Sequence, residues 1–246
     1  MERITCRLLP YAVDDGAHNM AADEVLLHSA REGTASLRFY SWSPATLSLG
    51  YFQRERVRHA DPLLSALPFV RRPSGGDTLV HDRELTYALA LPPGSSWQPR
   101  AVSWLVRMHG IIAAALRVLG VATALCESPA DYRLGEPLCF RHFTPGDLLL
   151  GDAKIVGSAQ RRQRGALLQH GAVLLARSAR TPTVPGIREL AGRDLCVTDL
   201  AEAIHHEFEC QTGWKLVRGD WTAGERNRIS ELVVARYTQP DWNCKR

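Results

Sequence analysis

The chain has 246 residues, of which 45% are hydrophobic and 23% are charged, and this length and composition support one domain with a substantial core. The formal net charge of +4 is too small to steer the whole protein toward nucleic acid. No apolar run approaches the roughly 20 residues that span a bilayer, and the first residues lack the apolar core of a signal peptide. We therefore expect a cytoplasmic protein with neither a nucleic-acid partner nor a membrane segment.

The first predicted element is a helix over "AHNMAADEVLLHSARE", which Asp14 and Asp15 precede as caps. Short apolar runs separated by turn residues then predict strands over residues 36–40, 45–50, 69–72, 78–81 and 85–91. The last of these strands has its large apolar residues at alternate positions, as a strand requires. The strongest helix is predicted over residues 101–119, with Gly120 placed to end it.

A hairpin is predicted where Gly151 and Asp152 separate "DLLL" from "AKIVGSAQ". Glycine at the first turn position favours a type II′ hairpin, which puts Lys154 opposite Leu149. The following run, "ALLQHGAVLL", is a further strand, and Gly171 inside it indicates a close backbone approach or a bulge.

Helices are predicted after Thr198 and after the capping box at residues 222–225. The mixed order of elements predicts a single α+β domain over residues 1–246. Within it, residues 197–246 form a small helical extension packed on the remainder.

Six cysteines are far apart and form no CxxC pair, so neither a disulfide framework nor a zinc site is predicted. Five of them are interpreted as core or surface residues: Cys6, Cys126, Cys196, Cys210 and Cys244. Cys139 differs because it lies in the irregular segment "EPLCFRHFTPGD", and a loop cysteine is less often a packing residue. The residues alone leave both a reactive thiol and a core thiol open.

The segment "RRPSGGDTLVHD" interrupts a strand with two adjacent glycines, Gly75 and Gly76. Such a backbone turns tightly and presents bare N–H groups, which suit a carboxyl, a thioester carbonyl or a phosphate. A plain hairpin turn explains the two glycines about as well.

The segment "DAKIVGSAQ" holds one of the few lysines. Of the 30 basic residues, only Lys154, Lys215 and Lys245 are lysines. An amine can exchange its proton where a guanidinium cannot, so a mechanism that needs an amine would keep its lysine. The small residues that follow, Gly157, Ser158 and Ala159, leave room beside the strand.

Four motifs in order resemble the lipoate-protein ligase and octanoyltransferase superfamily, which is related to the biotin protein ligases. They are "NMAADEVLL", "TLSLGYFQ", "RRPSGGDTLVHDRELTYAL" and "GDAKIVGSAQRRQRGALLQHGAVLL", and a fainter similarity recurs near "YTQPDWN". The resemblance implies a mixed, largely antiparallel β-sheet flanked by helices, the biotin/lipoate protein ligase-like (class II synthetase-like) fold. It also implies that residues 1–246 are one lipoate/octanoate transferase catalytic domain.

Within this superfamily, "HDRELTY" and "PLCF" are similar to the cysteine-dependent octanoyltransferases. The resemblance then implies an acyltransferase in which Cys139 takes an octanoyl group from acyl carrier protein as a thioester. The group passes to a lysine of a lipoyl-type domain, such as the glycine cleavage H protein, while Lys154 moves the protons. No cofactor and no metal is expected.

The acyl pocket implied by the resemblance lies between the glycine loop and the lysine strand. Its substrate-binding residues are predicted to be Arg72, Ser74, Gly75, Gly76, His81, Gly157, Ser158, Ala159, His170 and Gly171. For His81 and His170 a purely structural hydrogen bond is the alternative. Asp77 departs from the small or basic residue that is usual after the two glycines, which disfavours a phosphate contact there.

Three other functions remain open from the sequence. A lipoate-protein ligase would use ATP and Mg, and a lipoyl-domain amidotransferase would take its octanoyl group from another lipoyl domain. A degenerate acyl-protein-binding module would have no activity. The arginines of "RRQRG", residues 161–165, are predicted to lie at the rim of a site that docks small acidic proteins, with a solvated strand end as the alternative.

Overall fold

A computed structural model of the protein describes residues 4–99, 101–128 and 139–245. The strands, numbered β1 to β12 in chain order, are Thr5–Leu8, Ala12–Asp14, Ser36–Trp42, Thr46–Leu49, Phe69–Arg71, Leu79–His81, Glu84–Leu91, Ala124–Leu125, Leu148–Leu150, Ala153–Gln163, Ala166–Leu174 and Lys215–Arg218. The helices, numbered α1 to α7, are Gly16–Arg31, Pro62–Ser65, Trp104–Val118, Ile187–Ala191, Val197–Thr212, Ala223–Leu232 and Pro240–Asn243. Shorter 3₁₀ turns cover Glu55–Ala60 and Cys139–Arg141, and a π turn, Val233–Tyr237, continues α6.

The strands form one large and one small sheet. The large sheet has the order β12-β1-β3-β7-β11-β10-β9-β8, with β2 beside β3, and the small sheet has the order β5-β4-β6. In the large sheet β1 runs parallel to β12 and β3, and β2 parallel to β3, whereas the six strands from β3 to β8 pair antiparallel. This confirms the predicted mixed, largely antiparallel sheet.

Helices cover both faces of the large sheet, and the alternation along β7 shows why. Leu85, Tyr87, Leu89 and Leu91 point into a core that α3 and α5 complete, whereas Ala88 and Ala90 point into a second core beneath α1 and α6. Large side chains therefore fill one face, and small ones let α1 approach the other.

The residues that cap helices α1 and α3 can be recognised from the sequence near each helix end. The Asp15 side chain accepts from the N–H of His18, which begins α1 where it was predicted. Ser103 caps α3, so this helix begins three residues later than the predicted residue 101. It ends just before Gly120, which takes the left-handed φ of +80°.

The predicted hairpin and the five predicted N-terminal strands are confirmed. Lys154 pairs with Leu149 across the turn, and Gly151 takes the positive φ of +58° that a type II′ turn needs at its first position. Gly171 lies in an unbroken register between β7 and β10, so it marks a close approach and not a bulge.

Residues 197–245 contribute more than helices. They include β12, which extends the large sheet by pairing parallel with β1, and α7, which contacts β5 of the small sheet. The predicted helical extension therefore contains a strand that the sequence analysis did not find. Among the described residues, no helix is both long and apolar enough to cross a membrane.

Candidate active site

A pocket lies between the two sheets, with β10 and β11 on one side and the loop after β5 on the other. Its cavity volume of about 60 Å³ makes it a narrow slot. Of the ten predicted substrate-binding residues, eight line it: Arg72, Gly76, His81, Gly157, Ser158, Ala159, His170 and Gly171. Seven further residues, none of them predicted from the sequence as a site residue, also line it: Met20, Tyr40, Trp42, Asp77, Leu79, Thr86 and Phe140.

Lys154 lies next to this pocket, at an irregularity in β10. The register against β9 shifts between Lys154 and Val156, and such a bulge redirects the side chains around it. The lysine side chain is 5% exposed, and its Nζ lies 2.7 Å from Asp147 Oδ2. A Cβ at Gly157 would lie 2.5 Å from Lys154 Cε, so glycine leaves the space that the lysine fills.

Asp147 is held in place by hydrogen bonds in addition to its ion pair with the lysine. Its Oδ2 accepts from the backbone N–H of Thr144 at 2.8 Å and from the Thr144 hydroxyl at 2.9 Å. A buried ion pair needs such additional hydrogen bonds to offset the hydration that both charges lose. The ammonium also donates to the carbonyl of His142 at 3.4 Å, so its position is defined by a carboxylate and a backbone oxygen.

Cys139 is the first residue of the 3₁₀ turn Cys139–Arg141. The next residue, Phe140, lines the pocket, and its ring centre lies 5.4 Å from Lys154 Nζ. The turn therefore brings position 139 to the part of the pocket where the lysine is. The residues that precede the cysteine in the predicted "EPLCF" motif, 136–138, lie outside the described residues.

The glycine loop, residues 74–77, is held from inside by Arg72. Its Nη2 donates to the carbonyl of Gly75 at 3.1 Å and to that of Asp77 at 2.8 Å. Gly76 between them takes a φ of +88°, which only glycine adopts without strain. The predicted loop thus forms a wall of the pocket, and the Arg72 guanidinium joins its backbone to Ser48, to which Nη1 donates.

His81 is fully hydrogen-bonded at the end of β6. Its Nδ1 donates to Glu84 Oε1 at 2.5 Å, so its Nε2 accepts from the Ser48 hydroxyl at 2.8 Å, and Ser48 in turn accepts from Arg72. The indole of Trp42 stacks on the imidazole at 3.7 Å. Burial lowers the pKa of His81 although Glu84 opposes the effect, so the ring lines the pocket as a neutral group at pH 7.

His170 connects the glycine loop to α1. Its Nδ1 lies 2.7 Å from Asp23 Oδ2, and its Nε2 lies 2.5 Å from Ser74 Oγ. These atoms follow the order of a serine hydrolase triad, but Ser74 is 1% exposed and does not line the pocket. We therefore interpret Ser74, His170 and Asp23 as a structural support, which is the purely structural alternative stated above for His170.

Ser158 belongs to a chain of hydrogen bonds whose direction can be assigned. His109 Nδ1 must donate to the carbonyl of Gly146, at 2.5 Å, so its Nε2 accepts from the Ser158 hydroxyl at 2.6 Å. Ser158 then accepts from the Tyr87 hydroxyl at 2.7 Å, which accepts from Gln169. Burial lowers the pKa of His109 to about 4 and raises that of Tyr87 to about 12, so both remain neutral at pH 7.

Gly171 makes room for this network. A Cβ at that position would lie 2.1 Å from Ser158 Oγ and 2.9 Å from Tyr87 Cε1. The hydroxyl of Ser158 can therefore occupy the middle of the sheet surface only because β11 carries no side chain there.

The structures of known proteins define the class of fold. Lipoate-protein ligase A bound with ATP matches 98% of this chain and 99% of its own, with a TM-score of 0.80 and 21% identity. The bi-partite lipoate protein ligase from Thermoplasma acidophilum matches with a TM-score of 0.75 and 18% identity, over 99% of this chain and 97% of its own. The fold is therefore the predicted one, that of the lipoate-protein ligases.

The chain belongs to the family described as Lipoyl protein ligase A/B catalytic domain, which matches residues 15–209. Octanoyltransferase LipM from Kyrpidia tusciae is 35% identical over 98% of this chain and 99% of its own length. Octanoyltransferase LipM from Bacillus subtilis is 30% identical over the full length of both. Similarity of this extent makes the chain an enzyme of the acyltransferase class.

Proposed function

We propose that the protein is an octanoyltransferase that acts in protein lipoylation. It takes the octanoyl group of octanoyl-acyl carrier protein onto Cys139 as a thioester and passes it to a lysine of a lipoyl-type domain, such as the glycine cleavage H protein. Relatives called octanoyltransferase, matched over nearly the whole chain, support this assignment. We further propose that residues 1–246 act as one catalytic domain in the cytoplasm, where free thiols stay reduced.

The observation that carries the proposal is the buried ammonium of Lys154 next to the turn that Cys139 begins. A cation in a site from which water is excluded stabilises negative charge more strongly than it would in solvent. Negative charge develops twice in acyl transfer, on the attacking sulfur and on the carbonyl oxygen of the tetrahedral intermediate. We propose that the ammonium, which Asp147 holds in place, stabilises the charge on the sulfur and on the carbonyl oxygen.

The proposed reaction has two steps. In the first, the Cys139 thiolate attacks the octanoyl carbonyl, a carbon–sulfur bond forms, and the donor's thiolate leaves and takes up a proton. In the second, the acceptor's lysine amine attacks the Cys139 thioester, an amide forms, and Cys139 leaves as a thiolate. The Lys154 ammonium gives a proton to the leaving Cys139 thiolate and takes up the proton that the amine loses, so that the thiol and the ammonium are both restored.

The pocket fits the acyl chain better than a nucleotide. It is narrow, the buried side chains of Met20, Tyr40 and Trp42 line it, and Asp77 adds a carboxylate at the glycine loop. An unbranched hydrocarbon gains free energy when such a slot buries it, whereas the negative charge of a triphosphate would be repelled by the Asp77 carboxylate. We propose that the backbone N–H groups around Gly157 and Gly76 bind the carbonyl oxygen and that the reaction needs neither ATP nor a metal.

Intact-protein mass spectrometry tests this function. The protein is mixed with octanoyl-acyl carrier protein without ATP, and we expect an octanoyl adduct that hydroxylamine removes and that Cys139→Ser does not form. Cys196→Ser is a matched control, because Cys196 is exposed on the protein surface and far along the chain from the site. No adduct on the wild type, combined with ATP-dependent lipoylation by Cys139→Ser, would favour the ligase.

A second donor separates the transferase from the amidotransferase. The wild type is given an octanoylated lipoyl domain in place of the carrier protein, and we expect the adduct to form faster from the carrier thioester. Faster formation from the lipoyl-domain amide would identify an amidotransferase. Absence of an adduct from both donors, with binding of acylated carrier retained, would indicate the inactive binding module.

Lys154→Arg tests the role of the lysine. Arginine keeps the positive charge but does not release a proton near neutral pH. We expect adduct formation to continue at a reduced rate and turnover to stop, because the second step needs a group that first gives a proton to the thiolate and then takes up the amine's proton. Unchanged turnover would rule out proton transfer through this residue.

A further inference from the structure

The aromatic side chain of Phe52 is exposed to solvent on the outer side of the glycine loop. Phe52 is 70% exposed, and its ring lies 3.8 Å from the point where a Cβ of Gly75 would be. Tyr51 contacts it edge-on, with ring centres 5.0 Å apart. Single exposed apolar residues are common, but this one rests on the backbone that forms the wall of the pocket.

Cationic side chains lie beside the ring of Tyr51 as well. Lys245 Nζ lies 3.5 Å from the ring centre of Tyr51 and 3.6 Å from that of Trp242. Arg161 lies 5.5 Å from the Tyr51 ring and donates to the carbonyl of Pro73, just before the glycine loop. We call Tyr51, Phe52, Arg161 and Lys245 the loop-face patch.

One further cation and two acids lie near the patch. Arg54, two residues after Phe52, is exposed. The nearby carboxylate of Glu55 is already bonded to Arg58 at 2.5 Å and to His59 at 3.1 Å. Asp77 is the acid of the glycine loop itself and lines the pocket on its inner side.

We propose that the loop-face patch is the docking surface for the acyl-carrying donor, a small acidic protein that presents an apolar spot beside its thioester arm. This inference rests on the proposed function. An aromatic anchor ringed by cations fits such a partner, because the ring supplies affinity and the charges speed association. The donor has to bind beside the pocket while its acyl chain enters, and Phe52 contacts the loop that forms one wall of this pocket.

Two donors with the same acyl group distinguish docking from chemistry. Rates of adduct formation are measured with octanoyl-acyl carrier protein and with octanoyl-pantetheine, which has the thioester arm but no protein. For Phe52→Ala we expect kcat/KM with the carrier to fall about tenfold, which corresponds to about 1.4 kcal/mol of lost binding, and the rate with octanoyl-pantetheine to stay within about twofold. Val118→Ala is the matched control, since Val118 is an apolar side chain that is 71% exposed at the end of α3.

The charges give a second readout. We expect Lys245→Gln to weaken the dependence of the carrier reaction on salt concentration, while the octanoyl-pantetheine reaction shows no such change. An equal loss with both donors in Phe52→Ala would overturn the proposal, because it would show that the ring only supports the loop. No loss with either donor would also overturn it.

Two outcomes separate this inference from the proposed function. If the wild type forms an adduct with both donors but Phe52→Ala impairs only transfer to the lipoyl domain, the patch serves the acceptor and the donor assignment is wrong. If the wild type forms no adduct with either donor, the octanoyltransferase function fails and this inference fails with it.

Discussion

The carboxylate of Asp147 lies 2.7 Å from the ammonium of Lys154, with side chains that are 2% and 5% exposed. The acid comes from the residue just before β9 and the lysine from β10, so the hairpin turn at residues 151–152 brings them together. The relationship gives a buried lysine side chain a counter-charge beside an apolar pocket. It also makes the stability of the hairpin depend on a pair that we assign to chemistry.

Asp147→Asn is expected to destabilise the protein by about 3 kcal/mol, because it leaves a buried ammonium without its counter-charge. Urea unfolding measures this loss, and adduct formation should slow by about a hundredfold. The double variant Asp147→Asn, Lys154→Met removes both charges and should recover most of the stability without recovering transfer. Full activity in Asp147→Asn would contradict the role given to the pair.

Gly171→Ala is expected to disrupt the middle of the large sheet. The added methyl group would meet Ser158 Oγ at 2.1 Å and Gly157 O at 2.7 Å, and overpacking of this kind costs about 1–3 kcal/mol. Gly110→Ala is the matched control, because no atom lies within 4 Å of its added Cβ. In a helix interior that substitution should stabilise the protein by about 0.5–1 kcal/mol, and equal effects of the two would contradict the packing described here.

The stability of the protein should fall as the pH drops from 6.5 to about 4. Burial lowers the pKa of His109 to about 4, whereas the unfolded chain binds the proton near the ordinary value of 6.5. The unfolded state therefore gains protons first in this window, which costs at most about 3 kcal/mol from this residue. His81 has its pKa lowered by burial as well and contributes in the same direction.

The control for this pH effect is His109→Gln, which keeps a donor for Gly146 and an acceptor for Ser158 but does not titrate. Urea midpoints at about pH 7 and about pH 5 should differ less in this variant than in the wild type. An unchanged difference would show that other groups produce the pH dependence.

Asn243 connects the end of the chain to the strand that leads into the glycine loop. Its Oδ1 accepts from the N–H of Arg71 at 2.8 Å, and its carbonyl accepts from the Arg71 guanidinium at 2.9 Å. Asn243→Ala should cost about 2 kcal/mol, because the buried N–H loses its acceptor, and should also slow adduct formation. Asp241→Ala changes an exposed residue of the same helix and should stay within about 0.5 kcal/mol of the wild type; a similar loss in both variants would argue against this specific bond.

Local signals account for the elements that the sequence predicted. Asp15, Gly120 and the alternation along β7 act within a few residues, so they can be read without a partner. β12 could not be found in this way, because its residues are mostly exposed and its register is set by β1, about 210 positions earlier in the chain. Its position in the sheet depends on a contact that no local pattern encodes.

The candidate site divides in the same manner. Lys154 and the glycine loop were selected because their segments break the rules of core packing, and Gly171 because it lies inside a strand. Gly76 and Gly171 line one pocket, and Lys154 lies next to it. His109 and Asp23 were missed because each lies on the buried face of a helix, where it looks like a core residue. The bonds that give them a role join positions 49 and 147 residues apart, Ser158 and His170. Asp147 was the one omission with a local signal, an acid directly before a buried strand.

The most direct test of the account is a chase of isolated acyl-enzyme. Protein carrying the octanoyl group is separated from the donor and mixed with a lipoyl domain in the absence of ATP, and both proteins are followed by mass spectrometry. We expect the octanoyl group to leave Cys139 and to appear on a lysine of the acceptor as a stable amide, at a rate no slower than steady-state turnover. An adduct that persists, or that is lost only to water, would contradict the thioester intermediate.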